Sequence, residues 1–285
     1  MKTLLFCCIA FLTAGTLIFL SCNKNEEEEQ TPDTDVQAVI DNVKSEEAVT
    51  STFNTVNHYG INEEGIKSLQ SDSVVITVDP CVLCDSFPKT MTIDYGATGL
   101  LINGKLYKGK IIAVFNGRWG RDVVADGTYA DVTYDGFAVD NVTRSGQARL
   151  TYNGGYPDQP SFTTQATNLV LTLEDNETQI SLDGSRTVTW TSGFGNESNT
   201  DDVFEITGTV NGVDRNGVAY ESKIDSSNPL VRDMTCTNTF TFVSGKLEIT
   251  PAGKVTRIID FGDGGCDNTF TVNINGWQNT YQGGS

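Results

Sequence analysis

Histidine is almost absent from this chain: His58 is the single one in 285 residues. A Ser-His-Asp or Cys-His machine needs a histidine beside its nucleophile, so it would have to be built on His58. That residue falls in a helical segment ahead of the β-rich remainder, and no strained nucleophile turn accompanies it. It reads as a surface or capping residue. Positive charge is scarce too, with 19 Lys and Arg against 37 Asp and Glu and a formal net charge of −18. Binding to nucleic acid or anionic headgroups needs clustered cations, so neither is an expected partner. Phosphate-cradling motifs of the P-loop or dinucleotide type are missing. Beyond residues 4–20 there is no long uncharged apolar run, so no second membrane span is expected.

What is present starts at the first residues. Positions 4–20 are almost uninterruptedly apolar, and Phe19-Leu20-Ser21-Cys22 after them resembles a bacterial lipobox. The resemblance implies that residues 1–21 are a signal peptide and that Cys22 becomes a lipidated N-terminus. The rival is a spanning anchor, but seventeen residues interrupted by Thr13, Gly15 and Thr16 fall short of the usual ~20. Residues 22–35 then read as an acidic, solvated tether. The four glutamates at 26–29 resemble the export signal of surface lipoproteins in the Bacteroidetes. That resemblance implies outer-membrane anchoring through acyl chains and a cell-surface rather than periplasm-facing location.

Cys7 and Cys8 leave with the signal, and four cysteines remain for the mature body: Cys81, Cys84, Cys236 and Cys266. An even number in an exported chain favours disulfides over zinc or redox chemistry. A Cys236–Cys266 bond would contribute about 3.7 kcal/mol in the chain-entropy model, and Cys81–Cys84 about 2 kcal/mol before strain. Zinc would want a second close pair, and a redox CxxC would want a strand-to-helix turn; neither is apparent.

Apolar spacing predicts helix over 36–70, with Val36, Ile40 and Val43 on one face. Val49, Phe53 and Val56 repeat the spacing after Glu46-Glu47 interrupts it. Asp33 or Asp35 caps the start, and Gly60 can end the segment. Through 71–285 the period is two. Strands are expected at 73–78, 89–94, 105–116, 127–134, 139–152, 161–173, 178–182 and 187–191, then 203–210, 218–224, 239–249, 255–261 and 269–275. Asn103-Gly104, Asp126-Gly127, Asp135-Gly136, Asn153-Gly154, Asp183-Gly184, Asn211-Gly212, Asn216-Gly217 and Asn275-Gly276 are the turn signals. The expected fold is mainly β: an antiparallel meander forming a sandwich, or else a barrel-like sheet, behind a short helix.

Pro88-Lys89-Thr90-Met91-Thr92-Ile93-Asp94-Tyr95-Gly96 and Lys108-Gly109-Lys110-Ile111 resemble uncharacterised β-rich surface lipoproteins of the Bacteroidetes. So do Cys236, Val243-Ser244-Gly245 and Ile259-Asp260-Phe261-Gly262-Asp263-Gly264-Gly265-Cys266-Asp267-Asn268. The resemblance spans most of 74–275 and implies surface location and an all-β fold, but no activity. Asp72-Ser73-Val74 also resembles an O-glycosylation site of the same phylum.

Three features carry candidate chemistry. Lys108, Lys110, Arg118, Trp119 and Arg121 form a basic, aromatic patch that could stack on a sugar ring and hold an acidic group. Against this stands a plain hairpin whose cations pair with Asp residues and whose Trp119 packs inward. Asp260, Asp263, Asp267 and Asn268 offer oxygens to calcium, although they depart from the EF-hand pattern. Abundant carboxylates keep a paired-acid polysaccharide hydrolase open. The expected function is a non-catalytic binding or structural module for a glycan or a surface protein, with no required cofactor.

Overall fold

The computed structural model describes residues 33–61, 74–80, 85–102, 104–120, 124–194, 198, 200–236 and 242–283. Asp33 onward forms one compact unit. It opens with helix α1 (Gln37–Ile61). The Asp35 carboxylate accepts the Gln37 N–H at 2.9 Å and is the cap of the two expected, while Asp33 accepts the Asp35 N–H at 3.0 Å ahead of the helix. The rest of the expected helical segment, 62–70, lies outside the described residues. Glu46-Glu47 do not interrupt the helix; they sit in its middle and are turned toward the sheet.

The described strands are all antiparallel. The first group is β1 (Val75–Asp79), β2 (Lys89–Asp94), β3 (Leu100–Ile102), β4 (Lys105–Phe115) and β5 (Tyr129–Val139). Next come β6 (Val142–Gly154), β7 (Ser161–Thr172), β8 (Gln179–Ser192), β9 (Val203–Val213) and β10 (Ala219–Ile224). The last are β11 (Leu230–Asp233), β12 (Ser244–Pro251), β13 (Arg257–Asp263), β14 (Thr269–Ile274) and β15 (Trp277–Gln282). They form one meander with β1 and β15 at its edges. β3 pairs beside it on β4, and β11 lies against both β9 and β12. This is the expected mainly-β antiparallel body, built as a single sheet.

Alternation along most strands puts one side chain in two on a buried face, as in β10, where Tyr220, Ser222 and Ile224 are buried and Ala219, Glu221 and Lys223 are exposed. That face closes on α1. One core cluster joins Ile76, Ile93, Ile111, Val132, Leu150, Phe204, Ile249 and Ile274 with Val39, Phe53 and Val56 of the helix. The helix is therefore an interior element and belongs to the same core as the sheet.

Several expected turns are bends within strands. β5 runs through Asp135-Gly136 and β8 through Asp183-Gly184, while Asn153-Gly154 and Asn211-Gly212 lie inside β6 and β9. The chain reverses between β5 and β6 at Asp140-Asn141, both with positive φ, so the expected strand 139–152 begins with a hairpin turn. The glycines serve bulges. A Cβ on Gly109 would lie 2.2 Å from the Gly136 carbonyl oxygen, and one on Gly146 would lie 2.0 Å from that of Asn168. Register shifts at these places line up across β4 to β7 and bend the sheet around the helix.

Candidate functional site

The basic, aromatic patch does not assemble as a stacking platform. Trp119 is 5% exposed. Its Nε1–H donates to Asn57 Oδ1 at 3.1 Å, and its ring lies 5.5 Å from Phe115 and 5.6 Å from Phe162. Gly60 makes room for it, because a Cβ there would come within 2.7 Å of the indole. The aromatic ring is thus spent on the core, where burial stabilises it more than a solvated turn would. Arg118 pairs with Asp85, Lys110 with Asp94 at 3.3 Å, and Lys108 donates to Asn141 at 3.1 Å. Arg121, like Cys22, Cys81 and Cys84, lies outside the described residues.

The four candidate calcium ligands do not converge either. Asp260 accepts from Gly262 N–H at 3.0 Å and pairs with Lys246 at 2.9 Å. Partial burial works against its charge, and these two partners outweigh that, holding the carboxyl below its usual range. Asp263 faces Ser244 across the ladder, Asp267 accepts from Thr269 N–H, and Asn268 donates to the Gly283 carbonyl. These are turn-capping tasks. Among the described residues no three His, Cys, Asp or Glu side chains come together as a metal would need. The Cys236–Cys266 disulfide does form, tying the chain after β11 to the chain after β13.

Two sites were not anticipated. The first is a polar seam between α1 and the sheet. Arg186, 2% exposed on β8, holds Glu46 and donates to Ser222 Oγ at 2.8 Å, and that hydroxyl donates to Asn42 Oδ1 at 3.1 Å. Asp41, fully buried, takes the Arg215 guanidinium at 2.6 Å. Arg144 donates to Ala48 O, Ser51 Oγ and Thr52 Oγ1 at 2.9–3.1 Å and lies over the Phe137 ring. Burial pushes the Glu47 carboxyl up, opposed by Lys105, Arg232, Arg144 and Lys44. The signal for this seam was parity: Arg144, Arg186 and Ser222 occupy the same alternation as Val142, Val188 and Tyr220, which point inward. These bonds orient the helix; those of Arg186 and Arg144 are buried, while the Arg215 guanidinium reaches the surface.

The second site is on the outer face, a hollow of about 370 Å³ across β8, β9, β10 and the end of β12. Ladder register places Asp183 opposite Asn211, Asn211 opposite Glu221, and Glu221 opposite Thr250. Asp183 and Glu221 are therefore about 10 Å apart at the backbone, two strand spacings. Ser181, Val213, Ala219 and Ala252 make up the next row, where the small Ser181, Ala219 and Ala252 leave the depression open beside Val213. Asp183 accepts from Asn168 N–H at 2.6 Å, and Thr250 bonds Thr256 at 2.9 Å. Among the described residues, the Asn211 amide and Glu221 carboxylate hold no hydrogen-bond partner, and both are exposed. The row presents two carboxylates, an amide and a hydroxyl beside an apolar shelf.

No protein-family model, curated protein or solved structure matches the chain.

Proposed function

We propose that this chain is an exported lipoprotein of the β-rich surface family it resembles, held on the outer membrane by acyl chains on Cys22. Its β body faces the medium as a non-catalytic binding module for a neutral glycan. The observation that carries the binding reading is the outer-face hollow, where Asn211 and Glu221 stand unbonded between Asp183 and Thr250. Carboxylates and amides accept and donate to sugar hydroxyls, and the Val213–Ala219 shelf suits the apolar face of a sugar ring. The formal charge of −18 and the two carboxylates disfavour acidic glycans. A glycan array followed by calorimetry tests this: Asn211→Ala with Glu221→Ala loses binding at least tenfold at unchanged melting temperature. Undiminished binding by that variant sinks the reading. For the anchor, Cys22→Ser abolishes lipid labelling; labelling that persists rules the anchor out.

A second reading is a polysaccharide hydrolase, favoured only by the Asp183 and Glu221 carboxylates on one row of the hollow. Cleavage lost on Glu221→Gln would establish it over the binding module.

A further inference from the structure

We infer that β15 is a self-pairing edge through which two copies of this chain join into one continuous sheet. β15 pairs with β14 along its whole length, and among the described residues no strand lies on its other side. Natural edge strands guard against pairing with charges, proline, bulges or extreme shortness. β15 carries none of these: it reads Trp-Gln-Asn-Thr-Tyr-Gln, six residues without a charge. The contrast with the opposite edge is plain, since β1 ends on Asp79-Pro80. In a chain of net charge −18, an uncharged edge is where two copies approach with least repulsion.

The register identifies the occupant. Trp277, Asn279 and Tyr281 lie opposite Ile274, Val272 and Phe270, so they share the core side of the sheet. Gln278, Thr280 and Gln282 share the solvent side. A second β15 running antiparallel must match core side to core side, so only every second register is allowed. Centred on Asn279, the pairing sets Trp277 of each copy against Tyr281 of the other and Gln278 against Thr280. Trp277 and Tyr281 are half-buried rings packed on the core, with Tyr281 stacked on Phe270 at 5.7 Å. Joining two edges would cover both rings and set four aromatics in cross-strand pairs. Centred on Thr280, the alternative register opposes Trp277 with Gly283 and leaves that ring open. The contact is isologous, uses up the edge of both copies and closes at two.

Cross-linking of the full chain on whole cells tests this. At the two-fold centre the paired backbones are about 4.5–5.5 Å apart, within disulfide reach. Under mild oxidation Asn279→Cys gives a dimer on non-reducing gels several-fold above the wild-type level. Gln278→Cys, Thr280→Cys and the neighbouring-strand Asn273→Cys, each offset from its twin, stay at that level. Adding Gln278→Lys and Thr280→Lys to Asn279→Cys puts like charges across the seam and returns the dimer to background. Equal trapping at all four positions would indicate random collision and overturn the pairing. Trapping led by Thr280→Cys, or none above wild type, would overturn it as well.

Discussion

The two halves of helix α1 share one apolar core but add different things to it, buried ion pairs in the first and aromatic rings in the second. Its first half, from Asp41 to Glu47, is held by carboxylates that meet Arg215 and Arg186, with no exposure at Asp41 and 1% at Glu46. Its second half is held by rings: Phe53 lies 5.2 Å from Phe162 and 5.7 Å from Phe204, and Asn57 reaches the Trp119 indole. Apolar packing is non-directional, so many rotations and slides of a helix satisfy it nearly equally well. Buried ion pairs tolerate only one arrangement, and a misplaced one costs several kcal/mol. The charged half therefore fixes the helix in angle and height, while the aromatic half supplies most of the driving force.

The sharpest way to break that comparison is Arg186→Met. It strands Glu46 in the interior and frees Ser222 and the Gly208 carbonyl, so unfolding free energy by denaturant titration drops about 3–5 kcal/mol. Glu46→Met added to it removes the orphaned charge and recovers most of the loss. Recovery under a third would mean that the pair stabilises by more than its mutual compensation.

Phe53→Ala comes next, at about 3 kcal/mol, because it opens a cavity among Phe162, Phe204 and the helix. Phe53→Leu keeps much of the volume and loses less than half as much, a graded response that the charged half does not offer. All-or-none behaviour at Phe53 would erase the distinction.

The smallest effect lies at the helix start. The Lys254 ammonium, with the Gln37 N–H, holds the Asp35 carboxyl below its ordinary value of 3.8. A carboxyl lowered in the folded state stabilises above its unfolded value, and that contribution fades as pH falls through the folded value. Asp35→Asn, which keeps the cap but not the charge, therefore costs under about 1 kcal/mol at neutral pH and nothing at acid extremes. A series of denaturation midpoints across pH, wild type against variant, checks this; a gap that widens on acidification contradicts it.

The strands themselves were legible because alternation of Val, Ile, Thr and Phe is a local pattern. Counting thiols pointed to disulfides but left three pairings open; of the two bonds weighed, Cys236–Cys266 is the one with the larger loop-closure contribution. Glycine was ambiguous: positive φ serves a hairpin or a bulge, and at Gly136 and Gly184 the flanking strand residues pair on through the glycine. An inward-packing Trp119 was one of the two readings its hairpin allowed, but its partner Asn57, 62 residues earlier, was not legible locally. The outer hollow depends on registers among four strands, and no single run of sequence contains its row of Asp183, Asn211, Glu221 and Thr250.

The order in which this chain is made bears on how it becomes itself. Its helix comes before the described strands, yet the partners of the helix and its lead-in lie far downstream: Glu46 waits 140 residues for Arg186, Asp41 waits 174 for Arg215, and Asp33, ahead of the helix, waits 224 for Arg257. A nascent helix whose inward face is lined with unmatched carboxylates has no stable docking place until β8 through β13 exist. Closing such long loops costs chain entropy before any contact offsets it, so pairs of this separation form late in folding. Until they are matched, the acids that lock the helix carry a desolvation cost that opposes its burial.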